Sequence, residues 1–532
     1  MSNDPENSPN RPVSSRHWWR IGITITAALV LMVLILGPLL ISRANRILRA
    51  KAAQTLRNRF DSEVEIRELQ LSVFPRLQLT AKGVVMRYQG RRDIPPLISI
   101  DHLEAEGGMV GLLSVQPHVQ SIRLQGLAIH VPHRSAEEKA RAKSNGRKSG
   151  AAPYASVVVE KIVADGAHLE ILPGGPGKDP LVFDIHALDM REVSLDRPAQ
   201  FTARLSNPKP RGEIETAGLF GPWQASSPGD TPLNAKYTFS DADLSTFKGI
   251  GGWLTSKGKF QGVLERIEVD GETDTPDFYL NISGNRMPLH TQFHSIVDGT
   301  NGNTWLLPVH AKLQGSSFDA KGGVVRVVGA KGRDITLDVL MPAGRLEDLL
   351  RLAVKSEQPI ITGAIRFKTR LELPPGDVDV IEKLRLQGEF SIQNAHFTSV
   401  DVRERLRGLS RRAQGAPTDE TAGSSVSNMN GQFRLRGGVA SFSDLTFELE
   451  GAAIRLAGNY SLRSEKLEFY GAMRMDAKIS QATTGFKAFL LKAVDPFFSD
   501  GKHGALIPIK ITGTRSAPAF GLDLSRKGPK PI

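Results

Sequence analysis

From residue 63 onward, apolar and polar side chains alternate with a period of two, the mark of half-buried strands rather than helices. The segment IRFKTRLEL at 365–373 puts Ile365, Phe367, Leu371 and Leu373 on one side and Arg366, Lys368, Arg370 and Glu372 on the other. An antiparallel strand with one face on a core and the other in water reads this way. QFRLR at 432–436, TFELE at 446–450, AIRLAG at 453–458, PIKITG at 508–513 and FGLDL at 520–524 repeat the design, punctuated by glycine or proline. Helical spacing is confined to 346–355, 399–414 and 479–498. The pattern therefore predicts a mainly β chain with a few short helices.

The N-terminus breaks this pattern. Residues 21–41 carry no charge, and as a helix such a run spans roughly 30 Å, the hydrocarbon thickness of a bilayer. Trp18 and Trp19 stand where interfacial anchors belong, while Gly37 and Pro38 fall near the end of the run, where a break costs little. The run exceeds the usual signal-peptide core and is followed by Ser42, Arg43 and Ala44 without a small-x-small cleavage site, so a retained transmembrane helix is expected. Ala44, Leu48, Ala52, Leu56 and Phe60, with Ile47 beside them, continue it as an amphipathic helix. Three basic residues precede the run (Arg11, Arg16, Arg20) and six follow it closely (Arg43, Arg46, Arg49, Lys51, Arg57, Arg59). Counted alone, they place the body in the cytoplasm.

One internal repeat is visible. Residues 119–131 align without gaps on 159–171, with Ile122 on Ile162 and Gly126 on Gly166, which suggests two copies of a strand-turn-strand unit. Between them lies a charged, small-residue stretch at 132–153 that reads as a flexible linker. The chain divides into a tail at 1–20, the span at 21–41, a first β region at 42–131, the linker at 132–153, a middle β region at 154–345 and a last one at 346–532.

Composition narrows the chemistry. The net charge is +12, but residues 1–60 carry +7, the linker +4 and the last seven residues +3, so the rest of the chain is at −2. No basic stripe is left on the folded part for a phosphate backbone, and nucleic acid is not an expected partner. With no cysteine, thiol chemistry and zinc ribbons are excluded. His290 and His294 have the spacing of a zinc helix, but Thr291 replaces the glutamate and the surrounding pattern is extended. Residues 298–304 (DGTNGNT) read as a turn, since they lack the carboxylates of a calcium loop. Residues 249–252 (GIGG) and 174–179 (GGPGKD) miss the dinucleotide and Walker spacings and also read as turns. No catalytic constellation, metal site or cofactor is expected, and the chain reads as a non-enzyme.

The stretch FDSEVEIRELQLSVFPRLQLTAKGVVM at 60–86, entered from a span and a helix, resembles the N-terminus of the AsmA family. Residues 431–477 resemble its C-terminal region, as does IPIKITGTRSAPAFGLDL at 507–524 with Ile511, Gly513, Thr514, Pro518 and Phe520. Residues 243–278 are similar to segments between those regions in longer relatives of the TamB and YhdP type. The resemblance implies an inner-membrane anchor, a periplasmic body despite the charge count, and a role in phospholipid transfer or outer-membrane biogenesis. It implies membrane lipids and other envelope proteins as partners. The expected fold is an elongated, curved antiparallel sheet of roughly 25 strands, a ladder of order 100 Å, forming a groove or half-tube. A sheet with one apolar face and no second layer must bury that face or line a groove, and a groove suits acyl chains. The expected lipid-contacting residues are Ile122, Leu124, Leu169, Ile171, Phe367, Leu371, Leu373, Phe433, Leu435, Phe447, Leu449, Ile454 and Leu456. A scaffold for envelope assembly would share these features with a sealed interior, and a membrane-anchored hydrolase would need a nucleophile and histidine converging in a pocket.

Overall fold

Alternation translates into strands wherever a computed structural model describes the chain: residues 62–72, 77–107, 118–132, 157–173, 180–224, 227–327, 329–355, 358–398, 400–414, 426–476 and 505–523, with helical positions 50, 53, 54 and 57 ahead of them. The predicted span at 21–41, most of the helix after it, the linker beyond Pro132, residues 174–179 and the helix at 479–498 lie outside these residues. Among the described residues no helix is long and apolar enough to cross a membrane.

Among the described residues the strands form one sheet of 25. It opens with β1 (Ser62–Ser72), β2 (Leu77–Tyr88), β3 (Ile98–Gly107), β4 (His118–Gln125), β5 (Ala128–Val131), β6 (Val158–Ile171), β7 (Leu181–Val193), β8 (Ala199–Pro208) and β9 (Arg211–Phe220). The middle is β10 (Leu233–Asp243), β11 (Ile250–Gly251), β12 (Trp253–Val263), β13 (Arg266–Leu280), β14 (Met287–Asp298), β15 (Asn303–Leu313), β16 (Ser316–Arg326) and β17 (Arg333–Arg345). It ends with β18 (Ile361–Leu373), β19 (Arg385–Phe397), β20 (Val426–Arg436), β21 (Val439–Leu449), β22 (Ala452–Ser461), β23 (Lys466–Met475), β24 (Ala505–Thr514) and β25 (Pro518–Leu522). From β6 onward each long strand pairs antiparallel with the next, and the ladder crosses the predicted boundary at 346 without a break. Helices α1 (Leu346–Ala353), α2 (Val380–Lys383) and α3 (Val400–Ala413) interrupt the meander. The first and third match the helices predicted at 346–355 and 399–414.

The sheet is not antiparallel throughout, and the repeat explains why. β4 and β5 run parallel to β6, with Val119 opposite Val159, Ile122 opposite Ile162, Ile129 opposite Leu169 and Val131 opposite Ile171. The gapless sequence alignment is thus the register of a parallel ladder. The expected strand-turn-strand unit is corrected: Gly126 and Gly166 take positive φ (+62° and +71°), but the chain keeps its direction through each, and β6 is continuous. β5 therefore ends beside Ile171, at the opposite end of β6 from Val158, where β6 begins.

The ladder also coils. The loop after β9 packs Trp223 on Val64, Met86, Tyr88 and Leu97, at the far ends of β1–β3. The loop after β18 meets the loop after β10: Val380 N donates to Lys248 O at 3.1 Å, and Lys248 Nζ to Asp377 O at 2.9 Å. Each contact joins opposite ends of strands six or seven ladder steps apart. A flat sheet would hold them more than about 30 Å apart. Right-handed twist accumulating over that many strands brings the two rims onto each other, and register shifts in β10, β13, β17 and β19 add to it.

Candidate functional site: the apolar face

Following the register from strand to strand reveals one cross-strand row. It begins Leu69, Ala81, Leu103, Leu124, Ala164, Leu188, Ala203 and Thr216 on β1–β9. It continues through Tyr237, Gly258, Gly271, Phe293, Val309, Ala320, Val339 and Thr369. It ends Gly388, Phe433, Phe442, Gly458, Phe469, Ile511 and Phe520. Every strand except the short β5 and β11 contributes one residue, and none is charged. Three hydroxyls interrupt it, and Tyr237 bonds Ser256 Oγ at 3.1 Å. Burial pushes the Tyr237 phenol above its ordinary pKa, with the Ser256 hydrogen bond acting the other way.

All thirteen residues expected from the sequence lie on this face. Ile122, Leu169, Phe367, Leu371, Leu373 and Phe433 are half-buried. Leu124, Ile171, Leu435, Phe447, Leu449, Ile454 and Leu456 are buried, at 5–9% exposure. Leu449, Phe447, Ile454 and Leu456 share a cluster with Met473 and Met475, on which α3 lays Leu406, Leu409 and Ala413. α1 does the same for Met341, Ile361, Ile365 and Ile392 with Leu346, Leu349 and Leu350. Buried Asp348 pins α1 to the turn before β16, accepting from Gly315 N at 3.1 Å and Ser316 Oγ at 2.7 Å. The tail of α1 meets the connection between β13 and β14, where Asn285 Nδ2 donates to Arg351 O at 2.8 Å.

The face turns inward. Phe367 of β18 stacks on Phe433 of β20 with centroids 5.6 Å apart, and Phe442 of β21 meets Phe469 of β23 at 5.7 Å. Strands two apart lie about 9.6 Å from each other in a flat sheet, so these rings lean together. The glycines agree. A Cβ on Gly258, Gly388, Gly458 or Gly471, all on the apolar register, would lie 1.9–2.2 Å from a carbonyl oxygen of the next strand. On Gly323, which faces the polar side, its nearest neighbour would be 3.5 Å away. Periodicity alone missed Tyr237, Phe390, Phe442, Phe469 and these glycines. Register-matched glycine beside apolar residues, as in TSKGKFQG at 255–262, was the available signal.

The opposite face is polar and internally paired. Lys257 meets Glu272 at 2.9 Å, and Lys259 meets Asp270 at 3.7 Å. His290 and His294, the pair with zinc-helix spacing, point to Asp274 at 2.7 Å and Asp270 at 2.8 Å on the neighbouring strand. The hydrogen bond from His294 holds the Asp270 carboxyl below its ordinary pKa, helped by the charges of His294 and Lys259. Residues 298–304 are a turn in which Asp298 accepts from Thr300 N and Asn301 Nδ2. A furrow of about 1040 Å³ is lined by consecutive triplets centred on Val339, Thr369, Phe433 and Phe442. Its lining thus combines members of the row with exposed neighbours on the same strands, such as Lys368, Arg370 and Arg434.

One serine stands near a histidine: Ser206 Oγ lies 2.6 Å from His186 Nε2. Ser206 donates to Glu213 at 2.7 Å, and Glu213 approaches the same ring nitrogen at 3.6 Å. A nucleophile's base must take its proton at one nitrogen while an acid orients the other. Here the acid competes for the serine proton, and His186 is exposed on the polar face with Ser206 and Glu213 half-buried beside it. No family model and no curated protein matches the chain.

Proposed function

We propose that the chain is an AsmA-type lipid-handling protein, anchored in a bacterial inner membrane with its body in the periplasm, whose coiled sheet forms a groove or half-tube that holds phospholipid acyl chains. The observation that carries this reading is the charge-free row that crosses every long strand. Burying acyl carbon is worth about 0.8 kcal/mol per CH₂, and a row without a charge offers it no barrier from one end of the sheet to the other. An acyl chain of about 20 Å would lie across roughly four strands, so several lipids fit along the ladder. The polar face stays in water, and the chemistry asked of the protein is shelter, not bond-making.

The test is lipid content by mass spectrometry on the full chain, read together with melting temperature. Wild type should carry phospholipid. Leu371→Asp, at a half-buried position, should cut bound lipid at least threefold with little change in melting. Phe447→Asp, at 9% exposure in the α3 cluster, should instead destabilise by several kcal/mol, because its charge would be buried without a partner. Absence of lipid from wild type would sink the reading. The sealed cluster under α3 favours a second reading, a scaffold for envelope assembly. On that reading Leu371→Asp unfolds the protein as Phe447→Asp does.

A further inference from the structure

The rim contact between the loop after β10 and the loop after β18 gathers lysines from four separate connections. Lys248 pairs with Asp377 at 3.3 Å, and Lys331, from the turn before β17, pairs with the same carboxylate at 3.6 Å. Lys383 on α2 donates to Gly376 O at 2.8 Å. Lys209, from the turn between β8 and β9, lies over the Phe247 ring at 5.4 Å. The acidic groups facing them are few. Asp379 is engaged in capping α2 through Ile381 N at 2.9 Å, and Glu382 pairs with Arg463. Lys248 and Lys331 therefore share the one carboxylate of Asp377, while Lys383 rests on a carbonyl and Lys209 on a ring, with neither of these two in an ion pair where one turn of the sheet rests on the next. Burial lowers the Lys383 pKa, Asp377 raises it, and the positive charge of Lys209 lowers it further.

Unlike the ladder, this seam is crossed by one backbone hydrogen bond, the bond from Lys248 Nζ to Asp377 O and the exposed Lys248–Asp377 ion pair, which is worth little. Phe247 under Lys209 and Ile381, buried on α2 beside Lys383, give it an apolar border. Resting on the groove reading above, we propose that the seam is a lipid port, and that Lys209 and Lys383 hold the phosphate of an anionic phospholipid headgroup while its acyl chains pass inward. A phosphate group supplies the missing negative charge and accepts from both ammonium groups. A headgroup, rather than a free phosphate, fits a site that borders an apolar surface.

The full chain in detergent is titrated with dihexanoyl phosphatidylglycerol, dihexanoyl phosphatidylcholine and inorganic phosphate. Phosphatidylglycerol should bind more tightly than either of the others and lose affinity with salt. The double variant Lys209→Gln/Lys383→Gln should weaken it about tenfold or more, with unchanged melting temperature. Lys209→Arg/Lys383→Arg should keep most of the affinity, which separates charge from folding. Unchanged phosphatidylglycerol affinity in the glutamine variant overturns the port while leaving the groove standing if lipid still co-purifies. Inorganic phosphate binding as tightly as the lipid overturns the headgroup assignment. A wild type that co-purifies without lipid, yet binds phosphate through these lysines, overturns the groove and the port together and leaves only an anion site.

Discussion

Single residues decide whether this sheet can bend. Gly388 faces the apolar side between Thr369 and Phe433, and a Cβ there would sit 2.1 Å from Lys368 O and 2.8 Å from Thr369 Cα. Both obstacles are backbone and cannot swing away. Gly388→Ala should therefore destabilise by about 1–3 kcal/mol, whereas Gly323→Ala, with 3.5 Å of clearance, should stay within about 0.5 kcal/mol. Urea midpoints of the two variants check this, and equal shifts would remove the argument that apolar-side glycines mark the bends. Charge acts at the same scale. The hydrogen bond and charge of Lys248, with the charge of Lys331, hold the Asp377 carboxyl below its ordinary pKa. A depressed carboxyl stabilises the fold above its unfolded pKa and stops doing so as pH falls through the lowered value. Melting temperatures of wild type and Asp377→Asn should differ by a constant amount from pH 8 to pH 5 and converge below about pH 4.

Among elements, the parallel ladder of β4 and β5 on β6 carries the most information. Val131 and Val158 sit at opposite ends of adjacent strands, roughly 43 Å apart at about 3.3 Å per residue. The connecting residues 132–157 must cover that distance, and a fully extended chain needs about 13 residues to do so. Deleting ten residues within 136–148 should leave the parallel pairing intact. Removing 18 should abolish it, read as lost hydrogen-exchange protection of β6. Equal protection in both deletions would mean that the crossover does not set the register. The sequence alignment of 119–131 on 159–171 already contained this register, and alternation at 365–373 and 453–458 placed those side chains on the correct face. Bulges were not legible. In β21 the apolar positions shift from Phe442 to Leu445 across a register change, so a strict period of two sends half the strand to the wrong side. Rim contacts such as Trp223 on Tyr88 were invisible for another reason: they depend on twist summed over six strands, and no local pattern records that sum.

At the scale of the whole molecule, the two rim contacts recur at nearly the same interval, six strands for Trp223 and seven for Lys248. A sheet whose successive turns rest on each other has two kinds of joint: ladders, which are closed by regular backbone hydrogen bonds, and seams, which are not. Opening a seam breaks few bonds and leaves every strand paired, so it is the cheapest large motion available to this fold. Cysteine-free sequence makes the motion testable. Lys248 and Val380 share a backbone hydrogen bond, which sets their Cα atoms about 5–6 Å apart, within disulfide reach. In the Lys248→Cys/Val380→Cys variant, oxidation should slow exchange of a fluorescent phospholipid between the protein and vesicles by about tenfold, and reduction should restore it. Lipid content at equilibrium should not change, because the staple closes a route without removing the apolar row. If the oxidised and reduced forms exchange lipid at the same rate, chains enter elsewhere, and the open end of the row at Phe520, 59% exposed on the edge strand β25, becomes the place to look.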